Sequence, residues 1–148
     1  MFVLNIRVLI SKFTVLHIEK IMKILIAEDN QYTALQYDRI LTKFGHNVTM
    51  TKDGEECLQK FKDAVSKSEF EQIEKNPFDV IVLDQSMPKI TGSQAAEEIL
   101  EQKPGQRIVF ASAYSLSAEK NSEKFEDKVE FLQKPFSLKK FVKSVTDQ

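Results

Sequence analysis

Five residues far apart in the chain share one kind of position, because each closes or follows a short apolar run. Glu28 and Asp29 follow KILIA, Asp84 closes FDVIVL, Ser112 closes RIVFA, and Lys134 follows VEFLQ with Pro135 behind it. Three carboxylates gathered at one place need a cation, since unit charges about 4 Å apart repel by about 4 kcal/mol at an effective dielectric of about 20. A hard divalent ion answers that need. Mg²⁺ suits it, taking one or two carboxylates, keeping several waters and leaving a position for phosphate. No histidine or cysteine of the kind zinc or copper prefers stands at these run ends. With the ion, the Lys134 ammonium and the Ser112 hydroxyl around a phosphoryl group, the set has the parts for phosphoryl transfer to a carboxylate. Asp84 is then the nucleophile. Taken singly, each residue is an ordinary rim charge or hydroxyl. Their joint placement carries the chemistry.

That placement requires elements that bring the run ends together. From Met22 onward, short apolar runs alternate with amphipathic stretches, the pattern of strands and helices interleaved in a parallel sheet. Strands are expected at 23–29, 47–51, 78–84, 107–112 and 129–135. The run at 78–84, apolar almost throughout, reads as a central strand buried on both faces. Thr33, Tyr37, Ile40, Leu41 and Phe44 recur at helical spacing before Gly45, a residue suited to a left-handed helix end. Cys57, Leu58, Phe61 and Val65 form the stripe of a second helix after an Asp53-Gly54 turn, and the polar stretch 66–77 extends it or forms a solvated loop. Helical segments at 93–102, at the polar stretch 115–128, and around Leu138, Phe141, Val142 and Val145 complete the alternation. The fold expected is a doubly wound five-stranded parallel sheet flanked by five helices, of the flavodoxin-like class. In such sheets ligands bind beyond the carboxyl ends of the strands, where the five residues stand.

Bulk properties bound the reading. At 148 residues one compact domain is expected, and a formal net charge of -1 gives no electrostatic reason to expect nucleic acid or anionic lipid as a partner. The single cysteine, Cys57, excludes an intramolecular disulfide, fits a reducing cytoplasm, and reads as a small core hydrophobe. Residues 1–21 are apolar runs broken by Arg7, Lys12 and His17. That pattern suits neither a membrane span nor a cleaved secretory signal, so the functional domain is expected at 22–148 behind a leader of uncertain role. His46 reads as a loop residue after the first helix.

The motifs AEDN (27–30), LDQSMPKITG (83–92), ASAY (111–114) and QKPF (133–136) resemble, in order and spacing, those of the response regulator receiver family, over nearly the whole of 22–148. The resemblance implies Asp84 as phosphoacceptor, Asp29 and Asp84 as direct Mg²⁺ ligands, Glu28 acting through a bound water, and the Ser86 carbonyl as a further ligand. It implies Ser112 as the switch hydroxyl, Lys134 as the phosphate-contacting lysine ahead of a cis Pro135, and Phe131 as the switch aromatic. Ser86 and Tyr114 occupy positions that vary in the family and help set how fast water removes the phosphoryl group. Neither is an acid or amide, and a long-lived phosphoryl state is expected.

The resemblance also implies the partners: a histidine kinase or histidine phosphotransfer protein as donor, and a downstream protein as target. No output domain is expected after the last helix, so the signal would pass through a protein contact, in the family commonly on the face spanned here by residues 116–145. Three rival readings fit less well. A phosphatase of the haloacid dehalogenase type places its nucleophile on the first strand with a second acid two residues later, whereas Ser86 stands two after Asp84. A flavodoxin-like nucleotide binder needs a Ser/Thr/Gly-rich phosphate loop where this chain has Glu28, Asp29 and Asn30. A pseudo-receiver, acting only as an interaction module, would lack site residues that are all present here.

Overall fold

In the computed structural model, residues 20–73, 75–113, 125 and 128–147 are described. The elements alternate: β1 (Lys23–Ala27), α1 (Gln31–Lys43), β2 (Asn47–Thr51), α2 (Gly54–Phe70), β3 (Val80–Asp84), α3 (Gly92–Gln102), β4 (Ile108–Ser112), β5 (Glu130–Gln133) and α4 (Leu138–Thr146). The strands form one parallel sheet in the order β2-β1-β3-β4-β5, so β3 is central as its apolar run demands. Successive side chains of a strand point to opposite faces, and both faces here are covered by helices. Leu25, Ala27, Ile81, Leu83, Ile108 and Phe110 pack with Cys57, Phe61 and Ile99 on the α2–α3 side. Their neighbours Ile24, Ile26, Val80, Val82, Val109 and Ala111 pack with Tyr37, Leu41, Phe141 and Val145 on the α1–α4 side. A strand that serves two cores has no position left for a polar residue until it leaves the sheet. The acids therefore appear only at its end.

The helix starts are capped by side chains that the sequence supplies at the right place. The Asn30 side chain accepts from the Tyr32 and Thr33 amides at the head of α1, and Asp53 accepts from the Glu56 amide at the head of α2. Thr91 and Gln94 cap α3 reciprocally, and the Ser137 side chain accepts from the Lys140 amide ahead of α4. Gly45 adopts φ +88°, the left-handed turn that ends α1. Opposite the site, Arg107 ties three elements together. Its guanidinium donates to both carboxylate oxygens of Glu130 at 2.8 Å and to the carbonyls of Ser144 and Val145 at 2.7 and 2.6 Å.

The architecture is the expected doubly wound sheet, with four helices among the described residues where five helical segments were expected. The expected fourth segment, 115–128, lies outside the described residues apart from Phe125 and Lys128. The expected leader lies outside them through residue 19, as does Tyr114. β1 stops at Ala27, so Glu28 and Asp29 belong to the connection that follows it. The charged stretch after Val65 extends α2 to Phe70 before the chain turns. His46 is not a plain loop residue: it is buried, and its Nδ1 accepts the Met22 amide at 3.2 Å, closing the lower edge of the sheet. Among the described residues no helix is long and apolar enough to cross a membrane.

Candidate functional site

Strand register determines which residues meet. Ala27 pairs with Leu83, Asp84 with Ala111, and Ser112 with Gln133. One step past each pairing, Glu28, Asp84, Ser112 and Lys134 emerge at a common carboxyl edge. The structure places one carboxylate oxygen each from Glu28, Asp29 and Asp84 within 4.8 Å of one another. Glu28 and Asp84 are buried while Asp29 is exposed, so the cluster opens to solvent on one side. Lys134 Nζ reaches in from the far side, 3.0 Å from Glu28 Oε2 and 3.7 Å from Asp84 Oδ1.

Local structure aims each group. The Glu28 amide donates to the Thr51 carbonyl at the end of β2, and Glu28 Oε1 accepts the Asn30 amide, which fixes the carboxylate before the cap of α1 begins. Lys134 is held through its own amide, which donates to the Ser112 carbonyl at 2.7 Å, and a cis peptide bond joins it to Pro135. Ser86 stands exposed, with its amide 3.4 Å from Asp84 Oδ1. Gly92 closes the loop after the acid: its amide donates to the Gln85 carbonyl, and a Cβ there would lie 2.6 Å from the Asp84 carbonyl oxygen. The Ser112 residue is buried beside this edge. Phe131 lies farther back, half-buried, its ring centroid 5.3 Å from that of Phe110, which meets Phe125 at 5.6 Å.

The electrostatics follow from burial. Asp84 is pushed up to about 6, first by loss of solvent and next by the Glu28 charge. Lys134 and the Ser86 amide oppose that rise without cancelling it. Tyr37, on α1, is driven above its ordinary range by burial and by the charges of Glu28 and Asp84. The edge is thus a pocket of negative potential that one ammonium leaves undercompensated. The donor set is all oxygen, the choice of a hard divalent ion rather than a soft one.

Several contributors escape a reading of the sequence. Asn30 carries a visible signal, an asparagine just ahead of an amphipathic stretch, yet its second task, presenting its amide to Glu28, appears only in three dimensions. Asp53-Gly54, which reads as a turn, proves to be the cap and first residue of α2, packed against the loop after Asp84. Lys89, in that loop, meets Glu55 at 2.9 Å and Asp53 at 3.6 Å, contacts that span more than thirty residues of sequence.

The fold and the acidic edge together define a doubly wound α/β protein with a cation-demanding site at the carboxyl ends of its parallel strands. Comparison with known proteins makes this specific. The response regulator receiver domain matches residues 24–146, and the chain belongs to that family, the signalling modules of two-component systems. It is 32% identical over 126 residues to response regulator RR06 of Streptococcus pneumoniae, covering 84% of this chain and 51% of the relative. It is 26% identical over 124 residues to the chemotaxis protein CheY of Thermotoga maritima, covering 83% and 93%. The chain thus spans about half the length of the first of these relatives and nearly all of the second. Among solved structures, a CheX–CheY–BeF₃–Mg²⁺ complex from Borrelia burgdorferi superposes with a TM-score of 0.65 at 27% identity, covering 82% of this chain and 84% of that one.

Proposed function

We propose that this chain is a phosphoacceptor of a two-component phosphorelay, in which Asp84 takes a phosphoryl group and the change is read by a protein partner. The observation that carries this reading is the meeting of Glu28, Asp29 and Asp84 within 4.8 Å, with Lys134 3.0 Å from Glu28 and 3.7 Å from Asp84. The donor set fits Mg²⁺: Asp29, Asp84 and the Ser86 carbonyl would hold it directly, with Glu28 acting through a water. Bound there, the ion would neutralise charge on the transferring group. Asp84 supplies a carboxylate oxygen to phosphorus as the bond from phosphorus to the donor's imidazole nitrogen breaks, and the electron pair leaves with the imidazole. Lys134 leaves Glu28 and Asp84 for a phosphoryl oxygen, and Ser112 hydrogen-bonds another. The protein is itself the thing modified, so it is a switch and not a turnover enzyme.

In the same reading Ser112 and Phe131 carry the change outward. The ring contact of Phe131 with Phe110 and, through it, Phe125 supports that role. The partners are a histidine kinase or histidine phosphotransfer protein upstream and a target protein downstream, with no direct role for nucleic acid or membrane, in the cytoplasm. Two comparisons support the two kinds of protein partner: the chain resembles part of a hybrid signal transduction histidine kinase of Dictyostelium discoideum, and the Borrelia CheY is found with CheX, BeF₃ and Mg²⁺. The domain limits in this reading are 22–148. With Ser86 and Tyr114 flanking the site in sequence, the phosphoryl state is long-lived.

The test is incubation with a small acyl phosphate, with and without Mg²⁺, followed by intact mass. The reading predicts one added phosphoryl group in wild type with Mg²⁺ and none in Asp84→Asn. Catalytic turnover of a phosphate ester would favour the phosphatase alternative, and an unmodified wild type that still binds a partner would favour the pseudo-receiver.

A further inference from the structure

The loop 85–91 carries Ser86 and closes onto Asp84, and its two ends are fixed by β3 and by the Thr91–Gln94 capping box. Its middle has no strand or helix to hold it: Met87 anchors it in the core beside Leu83 and Ala95, and the stretch Lys89–Ile90 rests on the first residues of α2. At Gly54 a Cβ would lie 2.5 Å from the Ile90 carbonyl oxygen and 2.8 Å from Ile90 Cβ, so the loop backbone occupies the space that any other side chain would need. On either side of that glycine, Asp53 and Glu55 receive the Lys89 ammonium at 3.6 and 2.9 Å. Asp53 is buried and already committed as the cap of α2, and Glu55, the shorter contact, is exposed in the first turn of the same helix, so both ties lead to the start of α2. Lys89 itself sits at φ +67°, a left-handed conformation unfavourable for a residue with a Cβ. Something must hold it there.

We propose that Asp53, Gly54 and Glu55 form a seat that positions the loop after the phosphoacceptor, with Lys89 as its latch, and so orients Ser86 for the cation. The inference rests on the reading of the acidic edge as a Mg²⁺ site. None of the four residues touches the reacting atoms; they act through Ser86 and are positioning residues.

Charge makes the prediction discriminating. Removing a lysine near an acidic edge should by electrostatics alone strengthen cation binding, whereas loosening the loop should weaken it. In the full chain, Lys89→Met is expected to weaken Mg²⁺ binding roughly threefold, the scale of an exposed ion pair, and Gly54→Ala roughly tenfold. Binding is read from amide chemical shifts during titration with MgCl₂. Lys89→Gly, which relieves the left-handed strain while removing the latch, should keep or raise the melting temperature and still bind Mg²⁺ more weakly. A residue that merely stabilised the fold would not separate the two. Hydrogen exchange of the Ser86, Met87, Lys89 and Ile90 amides without Mg²⁺ gives a second readout and should quicken in all three variants. Unchanged loop exchange, or Mg²⁺ binding as tight as wild type in Gly54→Ala, overturns the seat. Failure of the wild type to bind Mg²⁺ overturns the functional reading instead, and loop exchange alone then judges the seat.

Discussion

Replacing Asp84 by asparagine should make the protein more stable at neutral pH, because the native state holds this carboxylate where its charge is unwelcome. In the unfolded chain the group ionises near 3.8; in the fold, burial and the Glu28 charge push it up to about 6. Between those values the native state binds the extra proton, so the charged group costs stability increasingly as pH rises through the window. At 1.36 kcal/mol per tenfold change in proton affinity, the cost is about 1 kcal/mol at about pH 4.5 and about 3 kcal/mol at about pH 7.5. Asparagine keeps the shape and the acceptor facing the Ser86 amide, and leaves Lys134 its shorter contact with Glu28. Urea unfolding of both proteins in a chelator should show Asp84→Asn ahead by up to about 3 kcal/mol near neutrality, a rise of roughly 10 °C in melting temperature, shrinking as the buffer is acidified. Adding Mg²⁺ should narrow the gap, since the ion stabilises whichever protein binds it more tightly. A variant no more stable than wild type at neutral pH, or one whose advantage persists undiminished in acid, would refute the reasoning.

Other perturbations test other joints of the structure. Lys134→Met strips the buried Glu28 carboxylate of its ammonium partner and should cost roughly 3 kcal/mol near neutrality in urea unfolding. Arg107→Met removes the paired bonds to Glu130 and the two carbonyl contacts at the end of α4; a loss of about 2 kcal/mol is expected by the same measurement, with faster amide exchange confined to α4. Phe61, fully buried between α2 and the sheet, should cost about 3–5 kcal/mol on change to alanine, read from the denaturation midpoint.

What the sequence reveals and what it hides have a common physical cause. β3 is legible because a strand covered on both faces must be apolar almost throughout, so its carboxyl end is marked by the acid that follows the run Val80–Leu83, Asp84. The stripes of α1 and α2 are legible because Tyr37 and Leu41, and Cys57, Phe61 and Val65, repeat at helical spacing into one core each. The convergence of Glu28, Asp84 and Lys134 follows once the strands are known to be parallel, since register then carries every run end to one edge. Contacts that depend on loop geometry have no such period. Gly54 against Ile90, Lys89 to Glu55 and the His46 link to Met22 join segments whose separation in sequence carries no signal. Whether Asp53-Gly54 is a turn or a helix start is likewise decided by which carbonyls and amides find partners, not by residue type.

The central claim, that Asp84 is the residue that receives phosphate, is tested most directly by trapping the adduct. Treating the protein with an acyl phosphate and Mg²⁺ and then with borohydride reduces a β-aspartyl phosphate to homoserine, and peptide mass spectrometry locates it. The account predicts homoserine at position 84 and at no other acid, dependent on Mg²⁺. Homoserine at Asp29 or another aspartate, hydroxynorvaline at Glu28 or another glutamate, or neither while phosphate is retained on a serine or histidine, would contradict it.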